Sequence, residues 1–344
     1  MRRGIVVGAC GGLLALLSAA PAWACAGLVG NNGAVNLVRT STLAAYRNGV
    51  EHYVTSFEFA GGGAEFGSIV PLPGVPTRVI KGGDWTLQRL AQETQPQPAT
   101  RFVLESFDVA AAGVEVIMTK RIDSLQITIL TGGGFAVGRW AQENGFNLSP
   151  DAPEVLDFYA RRSPVFMAAR YVAADARDRG LGIGDGTPVH LVIPTPNPWV
   201  PLRILGLGKQ GSETIEADVY LLTTNRPALL PGPGGDSGLV LEASEPASSD
   251  LLRDLRSDRG MKWLPDEGMW LSYLRVDSTA GRLTHDLAID ASGFGSPSPV
   301  AAGFRLPDIE LPPEAGAQPW AWVLAALVAL GGLALANRMV STQR

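Results

Sequence analysis

The chain has 344 residues, a formal net charge of −5 and a sequence pI near 5.3, with 46% apolar and 18% charged residues. Two cysteines and the lack of any Lys/Arg-rich run exclude a disulfide scaffold and argue against nucleic acid as a partner. The length suits one large domain or two modest ones.

The N-terminus carries the three parts of a secretory signal. Arg2 and Arg3 precede an uncharged, mostly apolar run from Gly4 to Ala20, and Ala22-Trp23-Ala24 presents small residues at the peptidase positions. Residues 1–24 are therefore expected to be a signal peptide. Cleavage after Ala24 leaves Cys25 first in the mature chain and removes Cys10, so no intramolecular disulfide can form. A lipidated Cys25 is the rival reading, and the bulky Trp23 fits that pattern badly.

Residues 25–305 read as an extracytoplasmic α+β domain, mainly antiparallel sheet with a few short helices. Val50 to Phe59 is rich in β-branched and aromatic residues, and Arg47-Asn48-Gly49 before it suits a tight hairpin. Glu65 to Val70 reads as a strand, and Asp84 as the cap of a short helix over Thr86 to Glu93. Val114 to Thr119 and Leu125 to Leu130 follow as strands. Phe135 to Asn144 reads as a helix stopped by Gly145, and a second helix opens at Ser149-Pro150-Asp151 and runs to about Arg162. Strands are then expected at Val165 to Ala173, Thr187 to Ile193, Leu202 to Leu207 and Glu216 to Thr223. A charged helix spans Asp250 to Arg259. Met269 to Asp277 and Leu283 to Ile289 close the domain as a hairpin. Strand follows strand with few βαβ alternations, which favours antiparallel pairing.

Residues 306–319 form a Pro-rich linker, and Trp320 to Ala336 is an uncharged 17-residue run, about 25 Å of helix. Extended through Asn337 with Arg338 snorkelling, it approaches the ~30 Å hydrocarbon core. Residues 320–336 are thus expected to be one transmembrane helix, with Trp320 and Trp322 at the interface. Arg338 and Arg344 follow it, whereas Leu306 to Pro319 holds acidic residues and no Lys or Arg. The positive-inside rule then makes 337–344 a cytoplasmic tail. Between signal and span lie all 33 acidic and 24 of the 28 basic residues, a formal −9. The expected protein is single-pass in the cell membrane, with its N-terminal domain outside the cytoplasm.

Several motifs resemble those of domain-of-unknown-function family 2330, exported bacterial proteins. They are the start ACAGLV, FGSIVPLPGVP at Phe66 to Pro76, NGFNL at Asn144 to Leu148, YARRSPVFMAARY at Tyr159 to Tyr171, and GDGTPVHLVIPTPNPWVPLRI at Gly184 to Ile204. The resemblance spans roughly Cys25 to Arg226. It implies kinship and supplies no catalytic residues.

No chemistry stands out from the residues themselves. Gly235-Asp236-Ser237-Gly238 resembles the nucleophile segment of trypsin-like proteases, but only His52 and His190 precede it, neither in the required context. The three histidines, His52, His190 and His285, lack the i, i+2 or i, i+4 spacing of a metal site. Gly132-Gly133-Gly134 lacks the Lys-Ser/Thr ending of a phosphate loop. Asp266-Glu267 and Asp175 with Asp178 read as solvated surface. Leu311 to Gly316 resembles a sortase signal but has Glu314 where threonine is needed. No catalytic, cofactor-binding or metal residue is therefore expected, and no cofactor. The function read from sequence is a membrane-anchored binding or structural module at the cell envelope, with an envelope protein as partner. An envelope serine hydrolase using Ser237 is the alternative.

Overall fold

The computed structural model describes residues 27–30, 36–60, 66–95, 115–172 and 187–307. The chain divides into two compact units, Met1–Leu306 and Pro307–Arg344, and the elements below all belong to the first. The signal segment 1–24, the span 320–336 and the tail 337–344 lie outside the described residues. Among the described residues no helix is long and apolar enough to cross a membrane.

The first half of the chain gives β1 (Gly27–Gly30), β2 (Asn36–Arg47), β3 (Val50–Ala60), β4 (Phe66–Pro71), β5 (Arg78–Lys81), α1 (Thr86–Thr94), β6 (Glu115–Ile122), β7 (Leu125–Thr131), α2 (Gly134–Glu143) and α3 (Ala152–Ala160). The second half gives β8 (Val165–Tyr171), β9 (Val189–Pro194), β10 (Trp199–Val200), β11 (Thr214–Thr223), β12 (Ala228–Leu230), β13 (Leu239–Pro246), α4 (Ser249–Ser257), β14 (Trp270–Thr279) and β15 (Leu287–Asp290). Three sheets result, ordered β13-β14-β11-β2-β3-β9-β5, β1-β4-β8-β7-β6 and β10-β15-β12. Among the described strands the β2–β11 pair is parallel and the others are antiparallel, so the α+β, antiparallel reading holds.

The seven-stranded sheet buries both faces, and its alternation sorts side chains into two cores. Ala44, Tyr53, Ala217, Val219, Leu221, Leu274 and Val276 point into the larger core, which includes the five-stranded sheet, α2 and α3. Leu43, Ala45, Val54, Tyr220, Leu222, Leu271 and Tyr273 enter the smaller one, closed by α1, α4 and Met261, Leu264 and Met269. Asn48 and Gly49 turn β2 into β3 with φ of 53° and 78°, the left-handed pair of a two-residue hairpin turn. At Gly134 an added Cβ would lie 2.3 Å from the Asp157 nitrogen, so only glycine lets α2 approach α3 this closely.

Three expectations need correcting. Leu202 to Leu207 is not a strand: Pro201 lacks an N–H, and the Leu202 and Arg203 N–H groups turn to the Asp286 carboxylate, at 2.7 and 3.0 Å. A 3-10 turn over Arg203–Gly206 follows. The closing hairpin does not form either, because β14 is already paired on both edges by β11 and β13, while β15 joins β10 and β12. Asp84 does not cap α1. Its N–H and that of Trp85 donate to Asp258, as does the Thr86 hydroxyl at 2.7 Å.

Asp286 is itself fully buried, paired with an equally buried Arg162 and bonded by the Tyr159 hydroxyl at 2.7 Å. Removing its carboxylate leaves a buried cation and several donors without acceptors. Asp286→Ala should cost about 3–5 kcal/mol, measured by chemical denaturation; a loss below 1 kcal/mol would show that the pairing is not needed.

Candidate functional site

Strand register builds the site. Across the β3–β9 pair, His52 faces Val192 and Val54 faces His190, so the two histidines are diagonal neighbours on the same face. The His52 Nδ1 and His190 Nε2 atoms are 3.0 Å apart, one donating to the other. Trp263, from the loop after α4, lies flat on His52 with ring centroids 3.5 Å apart and planes 9° from parallel. His190 is buried, whereas His52 and Trp263 are half-buried, so the stack reaches the surface.

Gly260 lets the chain pass beside His190. Its φ is +77°, and a Cβ there would approach the His190 Nδ1 to 3.2 Å. That Nδ1 has no hydrogen-bond partner among the described residues, nor has the Trp263 Nε1. Burial holds both rings neutral. It pushes His52 down to about 3, helped by His190 and Arg78, and His190 down to about 4, helped by Arg78.

Glu51, one residue earlier, points to the opposite face and is fully buried. Neither carboxylate oxygen makes a well-formed hydrogen bond among the described residues. Burial raises its pKa to about 8, with the Trp199 backbone N–H opposing the shift. Tyr46 stands opposite it in the β2–β3 register and donates to the Thr195 carbonyl at 3.0 Å. Burial, then Glu51, then Asp290 raise the Tyr46 phenol.

Ser237 sits in a 3-10 turn, Gly235–Ser237. Its hydroxyl donates to the Gly234 carbonyl at 2.8 Å and accepts from the Leu239 N–H at 3.3 Å. His285 comes close, but its ring bonds the Ser237 backbone carbonyl and stacks on Phe304 with centroids 5.5 Å apart. Asp236 pairs with Arg282. Gly132 to Gly134 is the turn from β7 into α2. Asp266 is solvated and pairs with Arg256, whereas Asp175, Asp178, Cys25 and Leu311 to Gly316 lie outside the described residues. Sequence spacing misses the His52–His190 pair because its members are 138 residues apart and meet only through strand order.

A family model described as an uncharacterized protein conserved in bacteria, DUF2330, matches residues 19–230. No curated protein matches. Among solved structures, baculovirus P35 is similar at 9% identity, covering 75% of this chain and 97% of that chain, with a TM-score of 0.38. A mutated baculovirus P35 after caspase cleavage shows 8% identity, coverage of 74% and 99%, and a TM-score of 0.34. At such low TM-scores these likenesses carry no argument.

The raised Glu51 pKa has a signed consequence. The folded state keeps this proton to about pH 8, whereas the unfolded chain releases it near 4.5. Stability therefore falls as pH rises between those values. Glu51→Gln should raise the thermal midpoint relative to wild type at pH 8, with the gap closing toward pH 4.5. A gap that does not change with pH would contradict the assignment.

Proposed function

The chain belongs to the DUF2330 family of uncharacterized bacterial proteins, and from that premise we propose that it is an exported, membrane-anchored binding module of the cell envelope. In this reading residues 1–24 are removed, 25–305 form the extracytoplasmic domain, 306–319 link it to the span at 320–336, and 337–344 remain in the cytoplasm. A protein of the envelope is the expected partner.

The observation that supports binding over bond-breaking chemistry is the disposition of the polar side chains. The Ser237 hydroxyl is occupied within its own turn, and His285 bonds the carbonyl of that residue. A serine nucleophile needs the imidazole on its hydroxyl instead. The Asp258 and Asp286 carboxylates are taken up by main-chain and side-chain donors. His52 and Trp263, by contrast, bring a half-buried ring stack to the surface. Export and anchoring are supported by the two apolar end segments and the basic residues beside them.

Fractionation of native cells tests the topology. The mature chain should begin at Cys25, and truncation before Trp320 should release it from membranes. A truncated chain that survives a carbonate wash in the membrane fraction would transfer the anchor to a lipidated Cys25. The same material, treated with a serine-reactive fluorophosphonate, should remain unlabelled; labelling that disappears in Ser237→Ala would replace the binding module with the envelope hydrolase.

A further inference from the structure

We propose that the segment 291–307, led by Phe294 and Phe304, docks the extracytoplasmic domain on the lipid headgroup region of the bilayer. This rests on the membrane-anchored reading and deepens it by naming the surface that the domain faces.

Phe294 is 95% exposed and Phe304 55%. A lone exposed apolar side chain is ordinary, but these two share one segment, and that segment is pinned down. Ala301 and Ala302 are buried in the larger core, and Arg162 donates to the Ala301 carbonyl at 2.6 Å. The His285 ring stacks on Phe304 with centroids 5.5 Å apart. At the other end Gly293 packs on the Arg226 carbonyl, where a Cβ would approach to 2.9 Å. Pro299 follows Phe294 by five residues, roughly 18 Å at full extension. Its carbonyl accepts the Phe304 N–H at 3.0 Å. The two rings therefore lie close enough to meet one surface together.

Backbone polar groups that enter a lipid surface need partners beforehand. The Asp290 carboxylate accepts the Ser292 N–H at 2.8 Å, and the Ser292 hydroxyl accepts those of Phe294 and Gly295 at 3.2 and 3.1 Å. The Phe304 and Arg305 N–H groups both donate to the Pro299 carbonyl. The phenyl rings can thus enter the interface without stranding a donor.

Charge and chain length point to the same occupant. Residues 291–307 contain no Asp or Glu and one Arg, in an otherwise acidic domain. Arg305 and the neighbouring Arg226 are exposed and form no ion pair among the described residues. Cations beside apolar rings suit an interface with lipid phosphates. Asp290 and the linker acids Asp308, Glu310 and Glu314 oppose an anionic surface, so the rings lead and the arginines add. Trp320 follows Phe304 by sixteen residues, at most roughly 55 Å of chain. A run inserted at 320–336 keeps both rings within that reach of its own bilayer, so weak contacts suffice. A second copy or another protein has no such tether.

The experiment uses the full mature chain in phosphatidylcholine vesicles, with and without phosphatidylglycerol. Phe294→Cys, Phe304→Cys and Ser257→Cys, each in a Cys25→Ser background and checked by circular dichroism, carry an environment-sensitive fluorophore. Ser257 is the control, because α4 closes the smaller core, across the seven-stranded sheet from Ala301 and Ala302. Labels at 294 and 304 should shift to the blue and be quenched by a nitroxide lipid several-fold more than the label at 257. Arg226→Gln with Arg305→Gln should reduce that quenching in phosphatidylglycerol vesicles and leave it unchanged in phosphatidylcholine alone. Quenching no greater than at 257 in an anchored chain overturns the docking and leaves the anchor standing. A blue shift without lipid quenching, fading as the protein is diluted in lipid, gives the rings to a second copy and also overturns it. A chain recovered in the aqueous phase overturns the anchor, and the docking with it.

Discussion

Burying the Asp286 carboxylate costs several kcal/mol unless its lone pairs are filled, and that constraint organises one end of the fold. Its Oδ1 accepts from the Tyr159 hydroxyl at 2.7 Å and from the Leu202 and Arg203 N–H groups at 2.7 and 3.0 Å. Its Oδ2 takes Arg162, whose guanidinium lies 4.2, 4.9 and 5.0 Å from the ring centroids of Phe158, Tyr159 and Trp199. The same Arg162 donates to the Ala301 carbonyl at 2.6 Å. One charge pair thus joins α3, the turn after β10, the lead-in to β15 and the final turn near residue 300. Apolar contact alone would leave these short elements free to slide; a buried polar knot that fills both Asp286 carboxylate oxygens gives them one arrangement.

A second carboxylate performs the corresponding task beside the histidines. Asp258 follows α4 and accepts from the start of α1, which supplies the end of one helix with an acceptor from another. The loop leaving Asp258 is tied down by Met261 N–H to the Asp258 carbonyl and by Leu264 N–H to the Met261 carbonyl. Arg256 reaches back to the Leu264 carbonyl. Gly260 and Trp263 lie within this loop, so the cap of α1 is also what places the indole over His52. The site therefore depends on residues that never touch it.

What the sequence made legible was local. The Asn48-Gly49 hairpin, the helices at α1, α2, α3 and α4, and the glycine stop at Gly145, with its φ of +81°, all follow from short-range chemistry. The expected strand over Leu202 to Leu207 was right in apolar content and wrong in conformation, because its backbone partner is a side chain more than 80 residues later. The closing hairpin failed for a related reason: alternation marks a strand's faces but says nothing about whether its edges are already taken. His52 and His190 could each be placed on a strand face, yet their meeting required the order β3-β9-β5, which no local pattern encodes.

The neighbours Glu51 and His52 show what a two-faced buried strand does to a charge balance. They point into different cores, and burial drives both toward neutrality, raising the carboxyl to about 8 and lowering the imidazole to about 3. The pH slopes are opposite. Glu51 removes stability as pH rises from its ordinary 4.5 to about 8, whereas His52 and His190 remove it as pH falls from their ordinary 6.5 toward 3 and 4. Between 4.5 and 6.5 the two effects oppose one another, and outside that window one acts without the other. The β3 strand therefore favours a broad stability maximum in mildly acidic solution. Each group stays neutral through its own burial, on its own side of the sheet.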